Sequence, residues 1–279
     1  MPARAAILVL AAGTLVAADP VSATGPWTVE GRLGVYLTSV VASGETATRD
    51  QTIADTTDSV SSMVKGWAKV VWDETPHRIE HTIEAKYGRQ RDADGDWDET
   101  TDLIEYRGVA QRAIPKPHYL YVGWGVDTVF TGVDNHVADP GTGRIAAGYG
   151  QRHVLQPEKE RVLDARAGVR AQKTWGSDLQ TGERDPETGP EVVLRYEAKP
   201  WADTAWYVQG EGFIEFDDLA HLQALVTAGL AVKVGRTLTV DLSLRAAHET
   251  RPYRDPVPGI AYNGWAWRQD TLVGLTWDF

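Results

Sequence analysis

The feature that most constrains the fold of this chain is an alternation of apolar and polar residues with period two, repeated over segments of ~10–15 residues. In the clearest segment, residues 221–234, Leu222, Val226 and Leu230 share one face and Gln223 belongs to the other. Successive side chains of a β-strand point to opposite sides, so this pattern is typical of a strand with two unlike surroundings. The chain is therefore expected to be all-β.

The same alternation recurs along the chain and predicts about twelve strands. The predicted strands span residues 27–41, 59–72, 78–87, 101–113, 118–131, 143–155, 163–172, 191–199, 204–216, 221–234, 238–246 and 264–279. Most are longer than the ~5–6 residues of a typical strand, and their length suits a tilted crossing of a lipid bilayer. We therefore expect a single closed antiparallel transmembrane β-barrel, with the even strand number that bacterial barrels have.

The lengths of the predicted connections favour a membrane barrel over a soluble β-sandwich or lipocalin-like barrel, which would alternate as well. Long connections, at residues 42–58, 88–100, 132–142, 176–190 and 251–263, take turns with short ones, at residues 73–76, 114–117, 156–160, 200–203 and 235–237. Residues 217–220 break this order, because a long connection is expected there and the segment is short. Tight turns at one end and longer loops at the other are typical of outer-membrane barrels.

The polar face of the predicted strands carries charges of both signs in nearly equal numbers. We expect these side chains to line the lumen and to form salt bridges with one another, because an outward Arg or Lys at the bilayer midplane costs ~2–4 kcal/mol. The expected lumen-lining residues are Arg78, Glu80, Glu84, Glu105, Arg107, Asp164, Arg166, Arg170, Arg195, Glu197, Asp241 and Arg245. Lys86, Glu211, Glu215 and Arg268 belong to the same polar face.

Aromatic residues gather near the ends of the predicted strands, where they are expected to form two girdles at the membrane interfaces. The residues near the short connections are Trp27, Trp72, Tyr119, Trp201, Trp206 and Trp277. The residues near the long connections are Tyr87, Phe130, Trp175, Trp265 and Trp267.

The N-terminal residues have the form of a secretory signal peptide. Arg4 precedes an apolar run that is shorter than the ~20 residues of a transmembrane helix, and small residues follow, so cleavage is expected after Ala18 or Ala23. We assign residues 1–23 to a cleaved signal peptide and residues 24–279 to the barrel. The expected location is the outer membrane of a Gram-negative bacterium.

The last predicted strand ends on the pattern Gly-x-x-aromatic-x-Phe, which the outer-membrane assembly machinery recognises, with Gly274, Trp277 and Phe279 in place. A final strand must present a free edge and a lipid-facing apolar row while it is inserted. The expected partners are therefore outer-membrane lipid, lipopolysaccharide and, during insertion, the assembly machinery.

Composition and charge argue against disulfide bonds and against nucleic acid as a partner. The chain has no cysteine, so an exported protein of this sequence holds together without disulfides. Its formal net charge of −11 argues against nucleic acid as a partner, because the chain would repel the phosphates. No cofactor is expected, and the sequence does not predict the oligomeric state.

Several segments resemble the salt-induced outer-membrane proteins, a family whose function is largely undefined. The likeness begins at residues 31–36 (GRLGVY) and 38–48 (TSVVASGETAT), where that family has a Gly-rich strand and a Ser/Thr-Gly-Asn/Glu-Thr segment. It continues at residues 119–130 and at residues 144–151 (RIAAGYGQ), which are similar to the family's aromatic strand and its Gly-Tyr-rich strand. The resemblance implies an outer-membrane barrel over the whole mature chain, and no catalytic signature comes with it.

The nearest candidates for catalysis are His248 with Glu249, and His136 with Asp134 and Asp139. Barrel proteases and lipid A deacylases need paired Asp/His or His/Ser groups at an outer strand end. The chain has seven scattered histidines, so chance proximity accounts for such pairs. A His-x-Ser-Asn-Gly-like phospholipase motif is missing from the sequence. We therefore expect the protein not to be an enzyme.

A weak candidate for a metal-binding loop consists of Asp92, Asp94, Asp96 and Asp98. The spacing of an EF-hand is not met, because alignment on Gly95 places Gln90 and Thr101 at the first and last ligand positions. Loose binding of Ca²⁺ or Mg²⁺ and a solvated acidic loop are both compatible with this segment, so no metal is assigned to it.

These features favour an outer-membrane barrel of envelope-structural or narrow-channel type, with a charge-lined lumen that salt bridges largely close. Two alternatives stay open. One is a lipid-modifying or proteolytic barrel enzyme with its active site at the outer rim, and the other is a receptor for an extracellular ligand.

Overall fold

In a computed structural model, the chain forms one antiparallel sheet of twelve strands that closes into a barrel. The structure describes residues 25–42, 59–91, 97–129, 141–175, 185–250 and 264–278. Each strand pairs with the strands before and after it in the chain, and the first strand pairs with the last. The prediction of a single closed antiparallel barrel with about twelve strands is thus confirmed.

The strands are β1 (Trp27–Ala42), β2 (Ser59–Glu74), β3 (His77–Arg91), β4 (Trp97–Ala113), β5 (His118–Thr128), β6 (Gly141–Gln156), β7 (Arg161–Trp175), β8 (Glu187–Trp201), β9 (Thr204–Ile214), β10 (Leu222–Val234), β11 (Leu238–Glu249) and β12 (Trp265–Asp278). One turn of 3₁₀-helix, Pro157–Lys159, lies between β6 and β7. No helix within the described ranges is long and apolar enough to cross a membrane.

The two ends of the barrel differ in the length of their connections. At one end, the short-turn edge, residues 75–76, 114–117, 157–160, 202–203 and 235–237 join the strands. At the other end, the long-loop edge, the strands are joined by residues 43–58, 92–96, 129–140, 176–186, 215–221 and 250–264. Because β1 begins and β12 ends at the short-turn edge, both ends of the sheet lie on the same side. The expected asymmetry is present, and the apparent exception at residues 217–220 disappears because that connection spans 215–221.

The predicted loop at residues 88–100 is wrong in its bounds. β3 continues to Arg91 and β4 starts at Trp97, with Gln90 paired to Asp98, and a register shift follows Gly88. The sequence of this segment is mostly polar at consecutive positions. The alternation therefore vanishes there, although the backbone hydrogen bonds of the antiparallel ladder continue.

The outer face of the barrel is apolar and exposed. Leu37 is 64 % exposed and Val192 is 59 % exposed, and both alternate with buried neighbours along their strands. In β10, Val226 pairs with Gly210 and Leu230 pairs with Trp206, which place the predicted apolar row of this strand on the outer face. The barrel thus has the reverse polarity of a soluble one, whose apolar side chains fill the interior.

Aromatic residues lie near both edges of the barrel, with one correction to the predicted girdles. Trp27 and Trp201 are exposed near the short-turn edge, and Trp265 is exposed near the long-loop edge. Tyr119 is instead 4 % exposed and points inward, because the apolar row of β5 that faces outward begins at Leu120. Phe130 lies outside the described residues.

Gly274 has a packing role at the closure of the barrel. It pairs with Tyr36 of β1, whose ring lies almost fully buried against the inner wall. A Cβ at Gly274 would lie 2.2 Å from the backbone oxygen of Val35 and 2.7 Å from Cδ1 of Tyr36. Only glycine leaves room for this ring, and an aromatic side chain covering a strand glycine is a known way to pin strand register.

We predict that Gly274→Ala lowers the free energy of unfolding by about 1–3 kcal/mol, because the new methyl group overpacks against backbone of β1. Gly210→Ala is the matched control, since a Cβ there meets nothing within 4 Å. Denaturant unfolding of protein refolded in detergent, without assembly machinery, measures both variants. Equal stability of the two variants would contradict the packing role of Gly274.

Candidate functional site

All twelve charged residues that the sequence assigns to the lumen lie on the inner face of the barrel. Each has an oppositely charged group within 3.9 Å. Some of these ion pairs join residues of one strand or of neighbouring strands, and others join strands that lie far apart around the ring.

Two of the pairs near the short-turn edge join residues of one strand. Arg78 contacts Glu80 at 3.0 Å, and Arg195 contacts Glu197 at 3.1 Å. Residues two positions apart in a strand point to the same side, so the spacing of the sequence already brings these charges together. Such pairs lie along the wall and do not cross the lumen.

Two of the pairs near mid-height join opposite walls of the barrel. Nη1 of Arg107 on β4 lies 2.9 Å from Oε1 of Glu211 on β9. Nη1 of Arg245 on β11 lies 3.6 Å from Oε2 of Glu105 on β4. In each case the two strands are five positions apart in a ring of twelve. These side chains therefore extend across the lumen.

Glu211 is the centre of this arrangement. Besides Arg107, its carboxylate faces Nη1 of Arg144 at 3.6 Å and Nη1 of Arg170 at 3.9 Å. Nε2 of Gln209 donates a hydrogen bond to its Oε1 at 2.6 Å. One buried carboxylate thus faces guanidinium groups from β4, β6 and β7, which is the strongest concentration of opposite charge among the described ion pairs.

Arg144 also pairs closely with Asp127 of β5, and Arg107 pairs closely with Glu105 of its own strand. We call the connected set the central charged layer. It consists of Glu105, Arg107, Asp127, Arg144, Arg170, Glu211 and Arg245.

Two inward tyrosines brace the wall beside this layer. The hydroxyl of Tyr119 donates to Asp164 at 2.7 Å, and the hydroxyl of Tyr121 donates to Glu191 at 2.7 Å. Tyr119 reaches from β5 over β6 to β7, and it does so because Gly150 of β6 leaves space for its ring. A Cβ at Gly150 would lie 2.3 Å from Cζ of Tyr119.

A small cavity lies on each side of the central charged layer. The inner cavity, about 50 Å³, is near the short-turn edge, and its wall includes Glu80, Arg152 and Arg195. The outer cavity, about 80 Å³, is nearer the long-loop edge and borders Arg144, Arg170 and Glu211. A layer of paired charges thus separates these two cavities of the described lumen.

From the sequence, Glu211 was predicted only as one of many residues on the polar face. Asp127, Arg144 and Glu191 were not predicted to lie in the lumen. Asp127 follows Tyr119, Tyr121 and two glycines at every second position, and this inner row is nearly free of charge. The alternation of β5 therefore draws attention to its apolar outer row and hides the one acid of the inner row. Counting every second residue along β5 from Tyr121 would have placed Asp127 on the inner face.

Of the two groups of catalytic candidates, the structure describes only His248 and Glu249, and it does not bring these two side chains together. His248 and Glu249 are consecutive in β11 and point to opposite faces, with His248 stacked on Trp265 at a centroid distance of 5.3 Å. His136, Asp134 and Asp139 lie outside the described residues, as do Asp92, Asp94 and Asp96 and the side chain of Asp98. Within the described residues no group of three His, Asp or Glu side chains is arranged to hold a metal ion.

No protein-family model matches the chain, and no curated protein matches it in sequence. Among solved structures, an anion-selective porin from Comamonas acidovorans is 8 % identical, with 91 % of this chain and 99 % of that chain covered and a TM-score of 0.38. An active-site mutant of outer-membrane phospholipase A from Escherichia coli is 9 % identical over 92 % of this chain and 93 % of that chain, with a TM-score of 0.41. The NanC porin is 9 % identical over 86 % of this chain and 98 % of that chain, with a TM-score of 0.41. Likeness at this level does not bear on what the present chain does.

We predict that Glu211→Ala destabilises the barrel by about 3–5 kcal/mol, because it leaves three guanidinium groups facing one another in a confined space. Glu197→Ala is the matched control, since Glu197 is more exposed and is paired with Arg195 alone among the described ion pairs. Its loss should cost about 0–1 kcal/mol. Denaturant unfolding of the two variants in the same detergent checks the difference, and similar losses would contradict the central role of Glu211.

Proposed function

We propose that the protein is an outer-membrane β-barrel that acts as a narrow channel, constricted at the central charged layer. The observation that carries the proposal is the contact between Arg107 and Glu211 across the lumen, with a small cavity on either side of it. A lumen of this kind admits water and small polar solutes up to the layer and excludes larger ones.

A lipid environment is supported by the outer face. Exposed Val, Leu and Ile side chains encircle the barrel, among them Val35, Val169, Leu194, Val208 and Leu275. Soluble monomers rarely expose a continuous apolar patch of more than a few hundred Å². A closed sheet with this outer face is stable in a bilayer, because all of its ladder hydrogen bonds are satisfied within the ring.

Export and insertion are part of the same proposal. Residues 1–23, as a cleaved signal peptide, and Phe279 lie outside the described residues, while Trp277 is exposed on the outer face at the short-turn edge. We propose that Gly274, Trp277 and Phe279 act as the assembly signal, and that lipopolysaccharide borders the long-loop edge.

Deleting Phe279 should lower the amount of folded protein in outer-membrane fractions without changing export across the inner membrane. The resemblance to the salt-induced outer-membrane proteins supports this location and names no activity.

A channel is favoured over the alternatives by the position of the polar residues. The charged groups that converge on Glu211 do so inside the barrel, whereas His248 and Glu249 point apart. We therefore propose no catalytic activity. A receptor would use the long-loop edge, of which residues 43–58 and 251–263 lie outside the described range.

If the outer face contacts lipid, placing a charge on it should lower the stability of the barrel by an amount that depends on its depth in the bilayer. Leu242→Arg, near the middle of β11, should lower the stability of the barrel in liposomes by about 2–4 kcal/mol. Leu238→Arg changes the same residue type on the same face of the same strand, but at the short-turn edge, and should cost about 0–1 kcal/mol. Folding titrations into liposomes measure both, and equal costs would contradict a membrane-spanning barrel.

The channel itself predicts small ionic currents. Refolded protein in a planar lipid bilayer should conduct far less than an open sixteen-stranded porin. The double variant Arg107→Ala/Glu211→Ala removes both partners of the contact that crosses the lumen and should raise the single-channel conductance severalfold. Removing both partners also avoids leaving one buried charge unpaired.

The double variant Arg78→Ala/Glu80→Ala is the control, because this pair lies along one strand and does not cross the lumen. Its conductance should stay close to that of the unchanged protein. Porin-sized openings in the unchanged protein would contradict a constriction at the central charged layer. A complete lack of current in all three proteins would favour the envelope-structural alternative.

A further inference from the structure

The outer cavity has an unusual lining, because two guanidinium groups border it with hydrogen-bond donors left over. The cavity is about 80 Å³ and lies between the central charged layer and the long-loop edge. Arg144 and Arg170 contribute from β6 and β7, and Asp127 and Glu211 lie in the same lining. A cavity of this size takes a polar group of a few heavy atoms, since one water occupies ≈ 30 Å³.

Arg170 is the more unusual of the two. It is 5 % exposed, yet its nearest carboxylate oxygens, on Glu191 and Glu211, both lie 3.9 Å from Nη1. That distance is an ion pair but is too long for a hydrogen bond. Its buried Nε has no hydrogen-bond partner among the described residues. The ring of Phe213 covers the guanidinium at 4.2 Å and holds it in place without using any of its donors.

Arg144 has the same incomplete set of bonds. One of its terminal nitrogens pairs closely with Asp127, and the other lies 3.6 Å from Glu211. Its buried Nε has no hydrogen-bond partner in the described part of the chain. Each guanidinium carries five N–H donors in a planar fork, and the Nη1 atoms of Arg144 and Arg170 lie too far from Glu211 to donate a hydrogen bond to it. These terminal nitrogens are the donors that the cavity offers to a ligand.

We propose that the outer cavity binds the carboxylate group of a small organic acid, with Arg170 and Arg144 as the donors. Glu211 on β9 faces both arginines, from two strands away in the case of Arg170 and three in the case of Arg144, and its carboxylate is the same chemical group as the ligand. The planar fork of an arginine matches a carboxylate better than it matches a spherical anion. This inference rests on the proposed channel and names the class of solute that would enter it from the long-loop edge.

The arrangement makes Glu211 an internal competitor of the solute. An incoming carboxylate takes over the contacts that Arg144 and Arg170 make with Glu211 at 3.6 and 3.9 Å, while Arg107 and Gln209 keep Glu211 on its own side. Removing the charge of Glu211 should therefore tighten binding, and removing the charge of Arg170 should weaken it. The opposite signs of these two effects are specific to this site.

The test is calorimetric titration of the refolded full-length mature chain in detergent micelles, at constant ionic strength with chloride as background anion. Sodium acetate is the ligand, acetamide is its neutral isostere, and inorganic phosphate is a competing oxyanion. Acetate should bind saturably and acetamide should not. Arg170→Gln should weaken acetate binding by about 10- to 100-fold, which is the range of one or two charge-assisted hydrogen bonds.

Glu211→Gln keeps the shape of the side chain and should tighten acetate binding by about tenfold, as expected for the loss of one competing charge. Arg78→Gln changes a lumen arginine near the short-turn edge, outside the cavity, and should leave acetate binding unchanged. If Arg170→Gln does not fold, Arg144→Gln and Glu211→Gln still predict changes of opposite sign.

Non-saturable acetate binding, equal binding of acetamide, or unchanged affinity in Glu211→Gln would overturn the proposal. Tighter, Arg170-dependent binding of phosphate would overturn the assignment to carboxylates. Binding in micelles does not require ion flow, so the two proposals fail separately. A silent bilayer with intact acetate binding contradicts the channel, and ion current without acetate binding contradicts the site.

Discussion

Hydrogen bonds between β1 and β12, from Arg32 opposite Asp278 to Ala42 opposite Arg268, turn a sheet of twelve strands into a ring. An open sheet would leave two rows of backbone N–H and C=O groups without partners. In hydrocarbon each such group costs several kcal/mol, so the apolar outer face is compatible with lipid only because the ring is closed. The same closure shuts the polar face into a confined interior. The lipid-compatible outer face and the confined polar interior thus both depend on the pairing of β1 with β12.

Confinement decides how the inner charges are arranged. Near the short-turn edge, water is close, and a pair such as Arg195 and Glu197 is worth little more than a surface salt bridge, ~0–1 kcal/mol. At mid-height a charge without a partner costs several times more. The side chains there meet partners from the opposite wall, and the shared carboxylate of Glu211 holds the layer together. The constriction is therefore a consequence of the cost of burying charge in a narrow ring.

The outer wall and the inner packing follow different rules. The outer row needs only apolar side chains of any shape, because lipid adapts to them. The inner row must fit a fixed space, and glycines make room for rings, as Gly274 does for Tyr36 and Gly150 does for Tyr119. This difference explains why Tyr119 belongs to the wall of the lumen although its position near a strand end is typical of a girdle residue.

Much of the fold could be predicted because period-two alternation is a local property. All twelve strands were predicted within a few residues, except where β3 and β4 continue through the polar segment at residues 88–100. The inner position of the twelve predicted lumen residues follows from the same alternation. Asp127 and Arg144 were missed as members of the layer, since the inner rows of β5 and β6 are rich in small residues and carry few charges.

The sequence by itself predicted about twelve strands, the two faces of each, and the edge at which the sheet begins and ends. Those properties depend on residues two apart in one strand and on the lengths of the connections. Only the tertiary structure decided which charges meet. Arg107 and Glu211 are 104 residues apart in the chain, and their contact depends on the order of the strands around the ring and on the stagger between them. No local pattern records that stagger, so the central charged layer emerges only when the barrel closes.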